Sequence, residues 1–164
     1  MPNPFKLDRL NLRILQTLQT SGRITNLDLA EAVALSPSPC LERVKRLERE
    51  GYIRHYLAEI DLDACLPHVR LMAEVTLENH RKEDFRRFEQ AVAGIPEVVS
   101  CYKIAGPYDY TMDVVCRDHL HYGTMEAGLL AGGFGIARIR SHEVIERSKP
   151  FSGFPLDLLT APDA

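Results

Sequence analysis

Residues 36–51 read SPSPCLERVKRLEREG, and this stretch predicts one short helix with a marked beginning and end. Ser36 can cap the first turn, and Pro37 suits the first helical position because an N–H there has no helical partner anyway. Gly51 follows the last periodic residue, where a glycine often ends a helix. The helix is therefore expected to stop before the segment that begins at Tyr52.

The predicted helix has one apolar stripe, and its other faces are polar. Cys40, Val44 and Leu47 recur at helical spacing, so they predict a buried face. The other faces carry hydroxyl, acidic and basic side chains: Ser38, Glu42, Arg43, Lys45, Arg46 and Arg49. Guanidinium and ammonium groups of this kind suit the phosphates and guanine edges of DNA. The alternative is a solvated amphipathic helix, because basic helices of this type are common.

The residues before this stretch predict a second helix. Residues 25–34 read TNLDLAEAVA, in which Thr25 and Asp28 have the spacing of a capping box. Leu29 and Val33 form its apolar stripe, and only two residues separate it from the next helix. Two short helices joined by a tight turn, the second one basic, are typical of a helix-turn-helix, which favours DNA binding over the solvated helix.

Residues 35–53, LSPSPCLERVKRLEREGYI, resemble the recognition helix and the start of the wing in the leucine-responsive (Lrp/AsnC) transcriptional regulators of bacteria and archaea. The resemblance implies a winged helix-turn-helix that binds double-stranded DNA. The candidate DNA-contacting residues are Thr25, Ser36, Ser38, Pro39, Arg43, Lys45, Arg46, Arg49 and Arg54. Arg43 and Ser38 are expected at base edges, because base contacts concentrate in the N-terminal half of such a helix. Lys45 is expected at a phosphate.

Composition and charge bound the class of protein. The 164 residues are 45% hydrophobic and 26% charged, which is ordinary for a globular protein, and no apolar run approaches a membrane span. The N-terminus lacks the apolar centre of a signal peptide, and the four cysteines form no C-x-x-C pair. The expected compartment is therefore the cytoplasm. Residues 1–60 carry nine Lys or Arg against seven Asp or Glu, whereas residues 61–164 carry eleven against sixteen, which fits DNA binding by the N-terminal part.

Hydrophobic periodicity predicts the remaining elements. A helix over residues 8–19 completes a three-helix unit, and residues 52–60 alternate as a strand. The rest follows the order β-α-β-β-α-β, with strands near 69–78, 98–104, 108–116 and 136–148 and helices at 83–92 and after Asp118. The predicted fold class is α+β. It comprises a winged helix-turn-helix domain (1–60), a linker (61–67), a ferredoxin-like domain (68–149) and a tail (150–164).

The resemblance extends over residues 7–149 and implies an effector domain whose ligand lies near a glycine-containing turn, here GPYDY. The candidate effector-binding residues are Gly106, Pro107, Tyr108, Asp109, Tyr110, Ser141 and His142. Asp109 can pair with the ammonium of an amino acid, while the alternative is that it only shapes the turn. Ser141, His142 and Glu143 stand where the family often has apolar or hydroxyl residues, which favours an amino acid or related metabolite more polar than leucine.

Two helices cover only one face of a four-stranded sheet, yet apolar residues occur on both faces of the predicted strands. A homodimer is therefore expected, and the resemblance implies an assembly of dimers. No cofactor or metal is expected, because His119 and His121 open a helix at a spacing that does not share a face. The alternative function is an enzyme, since some haem-biosynthesis decarboxylases resemble this family in fold. The basic helix over residues 36–49 and the absence of Trp favour a regulator.

Overall fold

The computed structural model describes residues 7–160. Its helices are α1 (Arg9–Thr20), α2 (Asn26–Ala32), α3 (Pro37–Arg49), α4 (Leu62–Cys65), α5 (Lys82–Val92), α6 (His119–Ala131) and α7 (Leu156–Thr160). Its strands are β1 (Val69–Leu77), β2 (Val98–Lys103), β3 (Tyr110–Cys116) and β4 (Ile136–Glu143). The chain forms two compact units. Of the described residues, the helical unit contains 7–59 and 149–160, and the sheet unit contains Ile60–Ser148.

Helices α1, α2 and α3 build the core of the helical unit. The side chains of Asp8 and Thr25 cap α1 and α2, because each accepts a backbone N–H of the first turn. The buried apolar residues are Ile14, Leu29, Ala30, Val33, Cys40 and Leu47. Val44 is partly buried against this cluster, so the apolar stripe predicted for α3 is confirmed.

The turn between α2 and α3 holds a non-glycine residue in a left-handed backbone conformation. Ala34 has a φ of 57°, its N–H donates to the Glu31 carbonyl, and the Leu35 N–H donates to the Ala30 carbonyl. These two bonds define a Schellman ending, in which glycine is the usual residue. Gly51 ends α3 with a φ of 77°, so the predicted glycine stop is confirmed.

Two expectations for the ends of α3 are wrong. Ser36 occupies the N-cap position with an extended backbone, but its side chain makes no capping hydrogen bond. Residues 52–60 form no strand. A strand needs a neighbour for its backbone groups, and the strands found within residues 7–160 all pair inside the sheet unit. Tyr56, in the middle of this segment, donates its hydroxyl to the Glu48 carboxylate at 2.9 Å.

The sheet unit has the predicted β-α-β-β-α-β order, and its four antiparallel strands lie in the order β2-β3-β1-β4. Alternate residues of β1, including Leu71, Ala73 and Val75, are buried in one core with Phe88 of α5 and Tyr122 of α6. The intervening β1 residues point to the opposite face, and this uncovered face is made by Arg70, Met72, Glu74 and Thr76. The α+β fold class is therefore confirmed.

Two segments outside the sheet differ from expectation. Residues 61–67, expected as a linker, contain α4. Residues 150–160, expected as a tail, lie in the helical unit, where α7 packs against α1. The predicted domain boundaries stay predictions, and residues 1–6 and 161–164 lie outside the described residues. Among residues 7–160, no helix is long and apolar enough to cross a membrane, and no three acidic, His or Cys side chains are grouped to hold a metal.

Candidate functional sites

The outward face of α3 presents polar side chains on rigid helical backbone. Ser38, Glu42, Lys45 and Arg49 recur every three to four residues, so they share one face, and all four are exposed. The Lys45 side chain is 58% exposed and lies 3.9 Å from the Glu42 carboxylate. The opposite side of α3 carries the apolar stripe, in which Cys40 and Leu47 are buried. Because the stripe anchors the helix, the outward face is held in a fixed orientation on the helical unit.

Arg43 does not belong to the outward face. Its guanidinium donates to the Asp8 carboxylate at 2.6 Å and to the side-chain carbonyl of Asn11 at 2.9 Å. Asn11 is 1% exposed, so Arg43 supplies a partner to a buried polar group. The structure thus places Arg43 as a clamp between α3 and α1, which differs from the expected position at a base edge.

The electrostatics of the clamp depend on Asp8. Burial raises the pKa of Asp8, but hydrogen bonds from Asn11 and Arg43 and the positive charge of Arg43 outweigh burial. The net effect lowers the pKa of Asp8 below its ordinary value of 3.8, so the carboxylate is charged at neutral pH.

A groove between α1 and α3 is lined partly by the clamp residues Asp8, Asn11 and Arg43. Its volume is about 460 Å³, and its lining includes Pro39, Glu42, Arg46 and Arg49. Pro39 is exposed in the first turn of α3, and Arg46 lies on the flank of the helix. Arginines that line an open groove next to a recognition helix can receive a phosphate.

The other candidate DNA-contacting residues lie at the ends of the helices. Thr25 accepts the Asp28 N–H at 3.2 Å and donates to the Asp28 carboxylate at 2.7 Å, so its hydroxyl is engaged in capping α2. Ser36 is exposed at the start of α3, and Arg54 is exposed after its end. The structure therefore brings Ser36 and Ser38 together at one end of α3 and leaves Arg54 near the other.

In the sheet unit, Asp109 is engaged inside the protein. One carboxylate oxygen accepts the backbone N–H of Leu77 at 2.8 Å, and the other lies 2.9 Å from His80 Nε2. The Asp109 side chain is 14% exposed. These contacts favour the alternative stated above, in which Asp109 shapes the turn, because both of its oxygens already have partners.

Tyr110 is also internal, whereas Tyr108 is accessible. Tyr110 is 1% exposed, and it donates its hydroxyl to the Glu89 carboxylate at 2.6 Å. Burial and this bond to Glu89 raise the pKa of Tyr110 well above its ordinary value. Tyr108 is half-buried, and its hydroxyl accepts a hydrogen bond from Arg140 at 3.3 Å. Gly106 and Pro107 are exposed in the turn, and Gly106 has a φ of 154°.

Ser141 and His142 lie on opposite faces of β4, so they do not line one pocket. Ser141 pairs with Ala73 and contacts the Tyr122 hydroxyl and the Glu126 carboxylate on the helix-covered face. His142 pairs with Met72 on the uncovered face. Burial and the hydrogen bond from its hydroxyl to Glu126 raise the pKa of Tyr122 to about 12, although its bond with Ser141 acts in the opposite direction.

Sequence reasoning missed three residues at these sites. Arg140 is exposed next to Tyr108. Glu74 lies opposite Arg140 in the β1–β4 register, and its carboxylate is 3.6 Å from His142 Nε2. Asn11 completes the Arg43 clamp. Alternation along β4 is a signal that could have placed Arg140 and His142 on one face, since they are two residues apart. Nothing in the local pattern around Asn11 indicates its partner, because Arg43 is 32 residues away.

Family models cover both units of the chain. A model described as the Lrp/AsnC ligand binding domain matches residues 70–154, and a model described as winged helix-turn-helix DNA-binding matches residues 7–54. The chain belongs to the Lrp/AsnC family. It is a DNA-binding regulator of transcription, with its helix-turn-helix in the helical unit and its ligand-binding domain mainly in the sheet unit.

Relatives of this Lrp/AsnC protein align over nearly the whole chain. The leucine-responsive regulatory protein of Escherichia coli K12 is 37% identical over 146 residues, which are 87% of either protein. The transcriptional regulatory protein DoeX of Halomonas elongata is 37% identical over 93% of this chain and 98% of its own length. A transcriptional regulator from Neisseria meningitidis, solved as a complex with L-Met, has 33% identity and a TM-score of 0.84, and the match covers 94% of this chain and 99% of that one. All three of these relatives are regulatory proteins, in agreement with the two family models.

Proposed function

We propose that α3 enters the major groove of double-stranded operator DNA and contacts it through its outward face. This proposal rests on the observation that Ser38, Lys45 and Arg49 are exposed together on a helix whose other side is buried. A helix of this kind fits the width of the major groove. Arg43 acts inside the protein, where it fixes α3 against α1.

Roles within the outward face follow from chemistry and position. Ser38 lies nearest the N-terminus of α3, where a helix-turn-helix places its base contacts. Glu42 can only accept hydrogen bonds, which suits the amino group of cytosine. Lys45 and Arg49 lie further along the helix and neutralise phosphates, with Ser36, Pro39, Arg46 and Arg54 at the flanks and Thr25 supporting α2.

The ligand-binding domain responds to an amino acid or a close relative. Support comes from the L-Met bound to the Neisseria relative and from the names of the leucine-responsive relatives. An amino acid brings a carboxylate, and Arg140 beside Tyr108 offers a guanidinium that can pair with it near the turn formed by Gly106 and Pro107. Asp109 holds the turn in place. Ser141 and His142 then influence ligand binding from opposite faces of β4.

The regulator acts as a homodimer that assembles further, in the cytoplasm where its operator is. The uncovered face supports this proposal, since Met72 and Tyr102 are exposed there at 37% and 60%. Within residues 7–160, buried oxygens of Glu74 and Thr76 on the same face have no hydrogen-bond partner, and the Glu74 oxygen has only a longer ionic contact of 3.6 Å with His142. A second subunit would supply apolar cover and polar partners together. A dimer also places two α3 helices on half-sites about one helical turn apart.

Three measurements in sequence test the DNA and effector proposals. Selection from random duplexes should yield an operator with two related half-sites, and failure to enrich any sequence would contradict specific binding. A thermal-shift screen of the twenty amino acids then identifies the effector. Calorimetry should show that Arg140→Ala weakens binding of the hit, while Arg138→Ala, on the same face of β4, does not. Equal binding by both variants would exclude Arg140 from the site.

A further inference from the structure

The C-terminal segment is held on α1 by a two-point side-chain clamp. Gln19 donates its amide N–H to the Phe154 carbonyl at 2.9 Å, and its amide oxygen accepts the Phe154 N–H at 2.8 Å. One glutamine therefore satisfies both backbone groups of a single residue, as a neighbouring strand would. The contact joins residues 135 positions apart in the chain.

The backbone next to the clamp is shaped to make this contact possible. Gly153 has a φ of 98°, a conformation that side chains disfavour. A Cβ at this position would lie only 2.7 Å from Cδ and Nε2 of Gln19. Gly153 thus has two separate reasons to be glycine, and both depend on the segment being docked. Pro155 follows the clamp, and α7 begins directly after it and packs against α1.

The path of the chain gives this docking a consequence. The chain leaves the helical unit after Glu59, builds the sheet unit, and returns to the helical unit at Lys149. We propose that residues 149–160 form a C-terminal strap, which docks on α1 as an intramolecular partner and gives the DNA-binding unit a second attachment to the ligand-binding unit. A unit held by two links samples fewer orientations than a unit held by one, so the strap restrains the position of α3.

Hydrogen exchange of the full-length protein tests the docking. Gln19→Ala removes the clamp from α1, and Gly153→Val disrupts it from the strap, so the two variants probe one contact from both sides. The Phe154 amide, followed in a peptide over residues 150–159, should exchange about tenfold faster in each, because two hydrogen bonds are lost. Gln16→Ala, one turn earlier on α1, is the control and should match the wild type. Wild-type exchange in both strap variants would overturn the proposal.

A second arm tests the restraint, and this arm rests on the proposed DNA binding. Affinity for an operator with two half-sites should fall about threefold to tenfold in Gln19→Ala and Gly153→Val, while affinity for a single half-site stays the same. Equal affinity of these variants and Gln16→Ala for the full operator would overturn the restraint. If the wild type binds no operator, the proposed function fails, whereas the docking result is measured without DNA and stands separately.

Discussion

The outward face of α3 and the turn at Gly106–Tyr110 were comparable candidates in the sequence, but the structure treats them differently. On α3, Lys45 and Arg49 stay accessible, because helical spacing alone decides which side of an amphipathic helix is buried. In the turn, Asp109 and Tyr110 are bonded internally, because distant segments supply their partners. A charged residue opposite the buried stripe of a helix thus stays accessible, whereas Asp109 in a tight turn next to a sheet is bonded internally.

The largest expected effect follows from the internal role of Asp109. Asp109→Ala should lower the free energy of unfolding of the sheet unit by about 2–3 kcal/mol, because it leaves the buried Leu77 N–H without its charged acceptor. Urea denaturation followed by circular dichroism measures this change. Asp63→Ala is the matched control, since the Asp63 side chain is 97% exposed and also faces a histidine, His68. Equal stability of the two variants would contradict the structural role of Asp109 and would favour a role in ligand binding.

Arg43 provides the corresponding test in the helical unit. Arg43→Ala should cost about 1–2 kcal/mol of stability, because it leaves the buried Asn11 without a donor. Arg49→Ala should cost little, since that side chain is 69% exposed. At a temperature where Arg43→Ala is folded, the ratio of operator to random-DNA affinity should be unchanged. A loss of this ratio would place Arg43 at a base edge, as the sequence alone suggested.

The clamp that Arg43 forms with Asp8 and Asn11 also predicts a small pH dependence of stability. The pKa of Asp8 is lowered in the folded protein, so its stabilising contribution is present above the ordinary value of 3.8 and is lost as pH falls below that value. Asp8→Asn should therefore be less stable than wild type at pH 7, by under about 1 kcal/mol because Asp8 is half-exposed. The difference should shrink in urea titrations as the pH falls below the ordinary value of 3.8 and through the lowered pKa of Asp8. A difference that stays constant with pH would contradict the charged clamp.

Local patterns were sufficient to predict most elements of the fold. The apolar stripe of α3, the glycine stop at Gly51 and the β-α-β-β-α-β order depend on spacing within one element or on chain order. The strand over residues 52–60 failed for a related reason, because alternation indicates a strand but says nothing of its neighbour. Ser36 failed as a cap because residue type permits a hydrogen bond without requiring it.

The candidate sites were harder to predict because they depend on contacts distant in sequence. Asp109 accepts a hydrogen bond from the Leu77 N–H, which is 32 residues away in the chain, and no local pattern predicts this bond. The separation of Ser141 from His142 was available from alternation, since neighbouring residues of a strand face opposite sides. Arg140 could have been placed by the same rule, on the face that His142 shares.

The salt dependence of operator binding tests the central claim most directly. Each phosphate neutralised by a basic side chain contributes about −0.9 to the slope of log K against log salt, so a dimer using Lys45 and Arg49 should show a slope steeper than about −3. Lys45→Ala should make the slope shallower by about 1.8, one phosphate for each of two subunits, whereas Arg43→Ala should leave it unchanged. A slope that is the same in Lys45→Ala and wild type, or one that changes only in Arg43→Ala, would contradict the assignment of the outward face of α3 to DNA.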